Sequence, residues 1–141
     1  MPTRVGCFPD TNILLYAALG KADEPRKFAI SRELLAAWDF GISSQVLGEF
    51  FVNVQRKSQR PLRAAEAAAW IAELEDRPCA VIDRPLVGQA IDLSQRFKIP
   101  YWDAAVVAAA ERIGAAILYT EDLNDGQGFG PVTVRNPFLG A

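Results

Sequence analysis

Hydrophobic positions change period repeatedly along the chain, and each change marks a boundary between a short strand and a helix. Arg4 to Phe8 reads as a buried strand, and the apolar run after Asp10 as a short helix. Over 22–39, Phe28, Ala29, Leu34, Leu35 and Trp38 recur at helical spacing. "FGIS" at 40–43 reads as a strand, and Ser43 or Ser44 caps a helix of about 44–57 with the stripe Val46, Leu47, Phe50, Phe51 and Val54. Pro61 opens an alanine-rich helix ending near Arg77. "CAVI" at 79–82 is a strand, and Asp83 with Pro85 starts a helix reaching Phe97. A further helix runs from Trp102 to Arg112, closed by Gly114 where a left-handed cap would sit. "AAILYT" is the fourth strand and "VTV" at 132–134 the fifth. Strands alternating with helices predict an α/β fold, a mostly parallel sheet of four to five strands with helices on both faces.

Composition narrows this without changing it. A chain of 141 residues, half of them hydrophobic and 23% charged, suits one domain over 1–141 with a real core. No apolar run approaches the roughly 18 residues of a membrane span, and the opening residues do not have a secretory signal's layout. A cytoplasmic protein without a membrane partner is the default expectation. Cys7 and Cys79 have no CxxC partner, so both are expected to be small core residues.

The most decisive count is that of histidine, which is zero. The chain therefore has no Ser-His-Asp or Cys-His nucleophile, no His-based acid–base pair and no His-containing zinc site. Any chemistry rests mainly on carboxylates. A net charge of −2 does not advertise nucleic-acid binding, although it allows a local basic patch.

In open α/β sheets the ligand crevice lies beyond the carboxyl ends of the strands. Asp10 follows strand one and Asp122 follows strand four, so two acids arrive at one edge; Asp10 also reads as a helix cap. Asp103 shares a helix face with Val106, Val107, Ala110 and Gly114, a buried face on which a carboxylate needs either backbone N–H partners or a role. Glu49 sits off the apolar stripe beside Asn53 and Arg56, and by itself reads as surface. In "YTEDLNDGQGFG", strand-like alternation turns Glu121 away from Asp122, and the glycines read as a turning loop. A calcium loop fails there because Gly126 and Thr133 stand at ligand positions, and a phosphate loop fails because no GK[ST] opens a helix.

Four segments in order, "DTNILLYA", "SSQVLGEFFVNV", "YWDAAVVAAA" and "LYTEDLNDG" followed by "NPF", resemble the PIN-domain ribonucleases, most closely the toxin half of VapBC toxin–antitoxin pairs. The resemblance implies a PIN-like three-layer fold over essentially the whole chain. It places the family's acids on Asp10, Glu49, Asp103 and Asp122, with Asp125 where some members carry a fifth. Glu49 thereby becomes a site residue in an open cleft. The departure is Pro9, where the family has an apolar strand residue; strand one is expected to stop at Phe8 because proline cannot donate to a ladder.

Clustered carboxylates repel one another, and a hard divalent cation relieves this: magnesium, with manganese as a substitute. The implied reaction is hydrolysis of an RNA phosphodiester by metal-activated water, leaving a 5′-phosphate and a 3′-hydroxyl. Asp10, Asp103 and Asp122 would be ligands, direct or through water, and Glu49 a ligand or a positioner of the nucleophile. Arg56, Lys57, Arg60 and Arg63 form the best RNA-contacting patch, or else a solvated helix end. Trp102 is assigned to the core ahead of a base-stacking role. The implied partners are RNA, a cognate VapB-type antitoxin blocking the cleft, a second copy in a homodimer, and operator DNA only through the antitoxin. The rivals are a non-catalytic PIN-like RNA- or partner-binding module, and a receiver-like phosphoacceptor domain, which would want paired acids after strand one and a late lysine.

Overall fold

The structure is a computed structural model that describes residues 5–37, 39–56 and 58–140; Arg4, Trp38 and Lys57, assigned above to strand one, the second helix and the basic patch, lie outside the described residues. Among the described residues, six helices and six short strands follow one another: β1 Cys7–Pro9, α1 Thr11–Asp23, α2 Pro25–Leu35, β2 Ile42–Ser43, α3 Ser44–Val54, α4 Ala64–Ala72, β3 Cys79–Ala80, α5 Arg84–Phe97, α6 Tyr101–Arg112, β4 Ile117–Tyr119, β5 Gly128–Phe129 and β6 Val132–Arg135. Four strands form a sheet in the order β1-β4-β6-β5, parallel except for β5, while β2 and β3 pair in parallel and a single bridge from Cys7 to Phe40 links the two sheets.

Side chains alternate across the sheet, and both faces are covered. Phe8, Leu118 and Val134 stand in register across β1, β4 and β6, fully buried in the larger core with Leu14, Phe50 and the alanine-rich α6. Cys7 points the other way, into a smaller cluster with Phe40, Ile42 and Leu74, packed against Leu35 and Leu47. The stripe Val46, Phe50 and Val54 seats α3 with no exposure, and each such side chain contributes about 1.5–3 kcal/mol.

The sequence pattern located the elements better than their ends. The helix expected over 22–39 is the end of α1 followed by α2, with Pro25 in the first turn of the second helix and Glu24 holding φ −141° and ψ 68° between them. The alanine-rich helix is shorter than 61–77 because Ala64 is its first residue and Ala72 its last, and "CAVI" pairs only at Cys79 and Ala80. Strand one does not stop at Phe8. Pro9 pairs with Tyr119, and the next N–H, that of Asp10, donates to the Tyr119 carbonyl at 2.9 Å. By alternation the proline nitrogen faces the Phe40 side, where the pairing is a single bridge. Of the three glycines over 126–130 only Gly128 enters a strand, β5, so the segment is not a plain loop; Gly130, at φ +62°, turns the chain back onto β6. Ser43 and Asp83 cap α3 and α5, and Gly114 closes α6 at φ +78°, as expected. Cys79 is exposed and only Cys7 is buried, so one of the two expected core cysteines is not in the core.

Candidate active site

Parallel strands bring their carboxyl ends to one edge, and that edge collects the acids. Asp10 follows β1, Asp122 lies three residues past β4, and β2 leads directly into α3, which carries Glu49. Asp103 comes from the first turn of α6. These four carboxylates, with Thr11, Gln45, Asn53, Trp102 and Val106, line one cavity of about 140 Å³. Gln45, Glu49 and Asn53 are spaced by four along α3, so one polar stripe faces the cleft while Val46, Phe50 and Val54 face the core.

Asp10 is both a cap and a cleft residue. One carboxylate oxygen accepts the Thr11 N–H at 2.7 Å, and the other accepts the Thr120 hydroxyl at 2.9 Å. The same hydroxyl oxygen accepts the Asp122 N–H at 3.1 Å and the Asn12 side-chain amide at 3.2 Å. Asn12 also donates to an Asp122 carboxylate oxygen at 3.0 Å. Thr120 and Asn12 therefore fix the turn carrying Asp122 against the start of α1. Glu49 is held by the Thr11 hydroxyl and the Gln45 amide, both at 3.2 Å, and the Gln45 amide also reaches the Trp102 carbonyl at 3.2 Å. Asp103 stands in the first turn of α6, whose cap position is Pro100, so it caps no helix N–H; the positive helix end still favours its charge.

Burial pushes the Asp10 carboxyl up to about 6, against the two hydrogen bonds that favour its charged form, and the charges of Asp122 and Glu49 push the same way. Asp103 is raised too, by burial first and then by Asp122 and Glu49. The four acids are thus electrostatically one group, and none of the residues lining the cavity is basic. This all-oxygen donor set fits a hard divalent cation. Among the described residues no three acid, His or Cys side chains gather closely enough to enclose an ion, so a bound ion would keep water ligands.

Other expected residues lie elsewhere. Asp125 does not line the cavity; its carboxylate accepts the Asn136 N–H at 2.9 Å. Arg56, Arg60 and Arg63 are exposed beyond the end of α3 and outside the cavity lining. Trp102 is no core anchor, being 62% exposed at the cavity's lip. Glu121 turns away from Asp122, as alternation required, and pairs with Lys27 at 2.9 Å and with the Tyr16 hydroxyl. Asn12, Gln45 and Thr120 were missed by sequence reasoning; only the tight Asp-Thr-Asn and Thr-Glu-Asp clustering hinted at them. A larger hollow of about 460 Å³ lies among Leu35, Phe40, Trp70 and Leu74, but Glu73 is its lone acid, so the smaller cavity is the better chemical site.

No curated protein matches the chain closely enough to count as a relative. Among solved structures, the fold is similar to that of a sarcin–ricin loop-cleaving toxin, VapC20 of Mycobacterium tuberculosis, with 24% identity and a TM-score of 0.69 over 91% of this chain and 99% of that one. It is also similar to a toxin–antitoxin complex from Klebsiella pneumoniae, with 20% identity and a TM-score of 0.69 over 94% of this chain and 98% of that one. A third likeness is to VapBC2 of Rickettsia felis bound to a DNA fragment from its promoter, with 19% identity and a TM-score of 0.62 over 92% and 97%. The family model of the PIN domain matches residues 7–124, which span β1 through the Asp122 turn and contain all four carboxylates of the cleft; the chain belongs to the PIN domain family.

Proposed function

We propose that this protein is a divalent-metal-dependent endoribonuclease, the toxin of a VapBC-type toxin–antitoxin pair, cutting RNA to a 5′-phosphate and a 3′-hydroxyl. The observation that carries the reading is the convergence of Asp10, Glu49, Asp103 and Asp122 on one cavity whose lining has no basic group. A bare cleft of this kind repels a phosphodiester, and the chemistry supplied by bound magnesium, or manganese in its place, is neutralisation of that charge with activation of the attacking water. Asp10, Asp103 and Asp122 would hold the ion, directly or through water. Thr120 and Thr11 aim the Asp10 oxygens, and Asn12 holds Asp122. Glu49, braced by Gln45, is placed to orient the nucleophile or to complete the ligand set.

The likeness to toxin–antitoxin complexes, one of them bound to promoter DNA, supports a cognate VapB-type antitoxin as partner, with operator DNA reached through it; a homodimer of the toxin is part of the same proposal. A cytoplasmic location accords with a chain in which, among the described residues, no helix is long and apolar enough to cross a membrane.

The test is cleavage of total cellular RNA by antitoxin-free protein in magnesium, in manganese and in EDTA, with Asp103→Asn alongside. Cutting by wild type alone, and only with metal, is expected. Equal cutting by Asp103→Asn would refute the site, and a folded, metal-loaded wild type that cuts none of the pool would favour a binding module.

A further inference from the structure

Trp102 stands out among the apolar side chains. Helix α6 is buried without interruption from Ala104 to Ala110, yet two residues earlier an indole is 62% exposed. An indole in water forgoes one of the largest burial gains available to any side chain. Its position is not incidental, because it lines the same cavity as Asp10, Glu49, Asp103 and Asp122 and directly precedes Asp103. The ring is braced edge-on by Tyr101, with centroids 5.0 Å apart and planes at 77°. Its backbone carbonyl is tied to α3 by the Gln45 amide at 3.2 Å.

Gln45 adds a second observation. Its amide nitrogen is shared between Glu49 and the Trp102 carbonyl, two acceptors, which fixes the orientation of the amide. The side-chain oxygen is left buried and, among the described residues, without a hydrogen-bond partner. A buried acceptor left unpaired is costly, and a ligand that supplies an N–H or O–H donor removes that cost.

We propose that Trp102 is a base-stacking platform at the lip of the acid cleft, seating one unpaired nucleobase beside the scissile phosphate, with the Gln45 oxygen accepting from a donor of the same nucleotide. The inference rests on the ribonuclease reading and deepens it. A base within a duplex keeps both faces against its neighbours, so a protruding aromatic platform selects single-stranded segments. The arrangement also answers the lack of basic residues around the cleft: a neutral stacking contact holds the nucleotide where a cation would compete for the carboxylates.

The experiment has a binding arm and a cleavage arm. In the first, a fluorescein-labelled 12-nucleotide single-stranded RNA of random sequence is titrated in magnesium against Asp103→Asn protein, to prevent cutting, with and without Trp102→Ala, Trp102→Leu or Trp102→Tyr. Loss of one base stack weakens binding roughly 10- to 100-fold in the Ala and Leu variants, and tyrosine restores most of it. Duplex RNA of the same length binds the Trp102 variants equally. In the second arm the same substitutions in otherwise wild-type protein raise KM for the single strand. Wild type that cuts while Trp102→Ala and Trp102→Leu bind and cut equally well would overturn the platform and leave the nuclease reading standing. Wild type that cuts nothing yet shows the tryptophan-dependent binding would overturn the nuclease reading and leave the platform. A change in sedimentation of Trp102→Ala with RNA binding unaltered would assign the ring to a contact between copies and overturn the proposal.

Discussion

Asp10→Asn tests whether the cleft acids work against the fold that presents them. Burial raises the Asp10 carboxyl from 3.8 to about 6, so at neutral pH its charge costs the metal-free fold about 3 kcal/mol. A carboxyl raised in the folded state binds its proton more tightly there than in the unfolded chain. Wild-type stability from this group is therefore highest below about pH 4, falls as pH rises through about 6, and is flat above about pH 7. Asparagine does not titrate. It keeps an oxygen for the Thr11 N–H but turns an NH₂ toward the Thr120 hydroxyl, whose oxygen already accepts from Asp122 and Asn12. That lost bond costs about 1 kcal/mol at every pH. The variant should accordingly be about 1 kcal/mol less stable than wild type at pH 4 and about 2 kcal/mol more stable at pH 7.5. Urea unfolding followed by circular dichroism in EDTA, from pH 4 to 8, reads the difference directly. Saturating magnesium should then narrow the gap at pH 7.5, because a ligand that binds only the folded wild-type site adds to its stability. A difference that stays flat across the whole range would refute the argument.

Thr120→Val keeps the shape but removes the donor to Asp10 and the acceptor for Asp122 and Asn12; a loss of about 1–3 kcal/mol in urea melts with cleavage falling at least about tenfold is expected, and unchanged cleavage would show that the turn needs no such tie. Phe50→Ala empties a fully buried position packed on Trp70 at 5.7 Å between centroids and should cost about 3–5 kcal/mol in the same melts; a loss under about 1 kcal/mol would contradict the packing. Lys27→Met removes a half-buried ion pair to Glu121 and a cation over the Tyr16 and Phe138 rings, with a loss of roughly 1 kcal/mol that shrinks in high salt; no salt dependence would argue against the pair. Asp125→Ala frees only the Asn136 N–H, so cleavage should stay within about threefold of wild type, and a loss as deep as that of Asp103→Asn would return Asp125 to the metal site.

The strands, helices and acids were readable because each leaves a local mark: the period-2 and period-3.6 runs, Asp10, Ser43 and Asp83 ahead of helices, Gly114 behind one. What escaped was set by neighbours distant in sequence. Pro9 lies in a strand because its nitrogen faces a side with almost no pairing, which depends on how far Phe40 and Gly41 run beside it. Gly128 and Phe129 form an edge strand because Gly130 folds them back onto β6, a register that no run of alternating glycines announces. Glu49 looks like surface on its own helix and becomes a cleft residue only when Thr11, from the start of α1, reaches it. Trp102 is the same lesson reversed. Beside an apolar helix an indole belongs in the core by every local rule, yet the cavity edge formed by Asp10 and Thr11, α3 and the Asp122 turn leaves it in the open. Both residues depart from the burial their sequence context suggests, and both line the acid cavity. Such departures are expected where a fold presents a site, since a side chain held away from its most stabilising surroundings is free to meet a ligand.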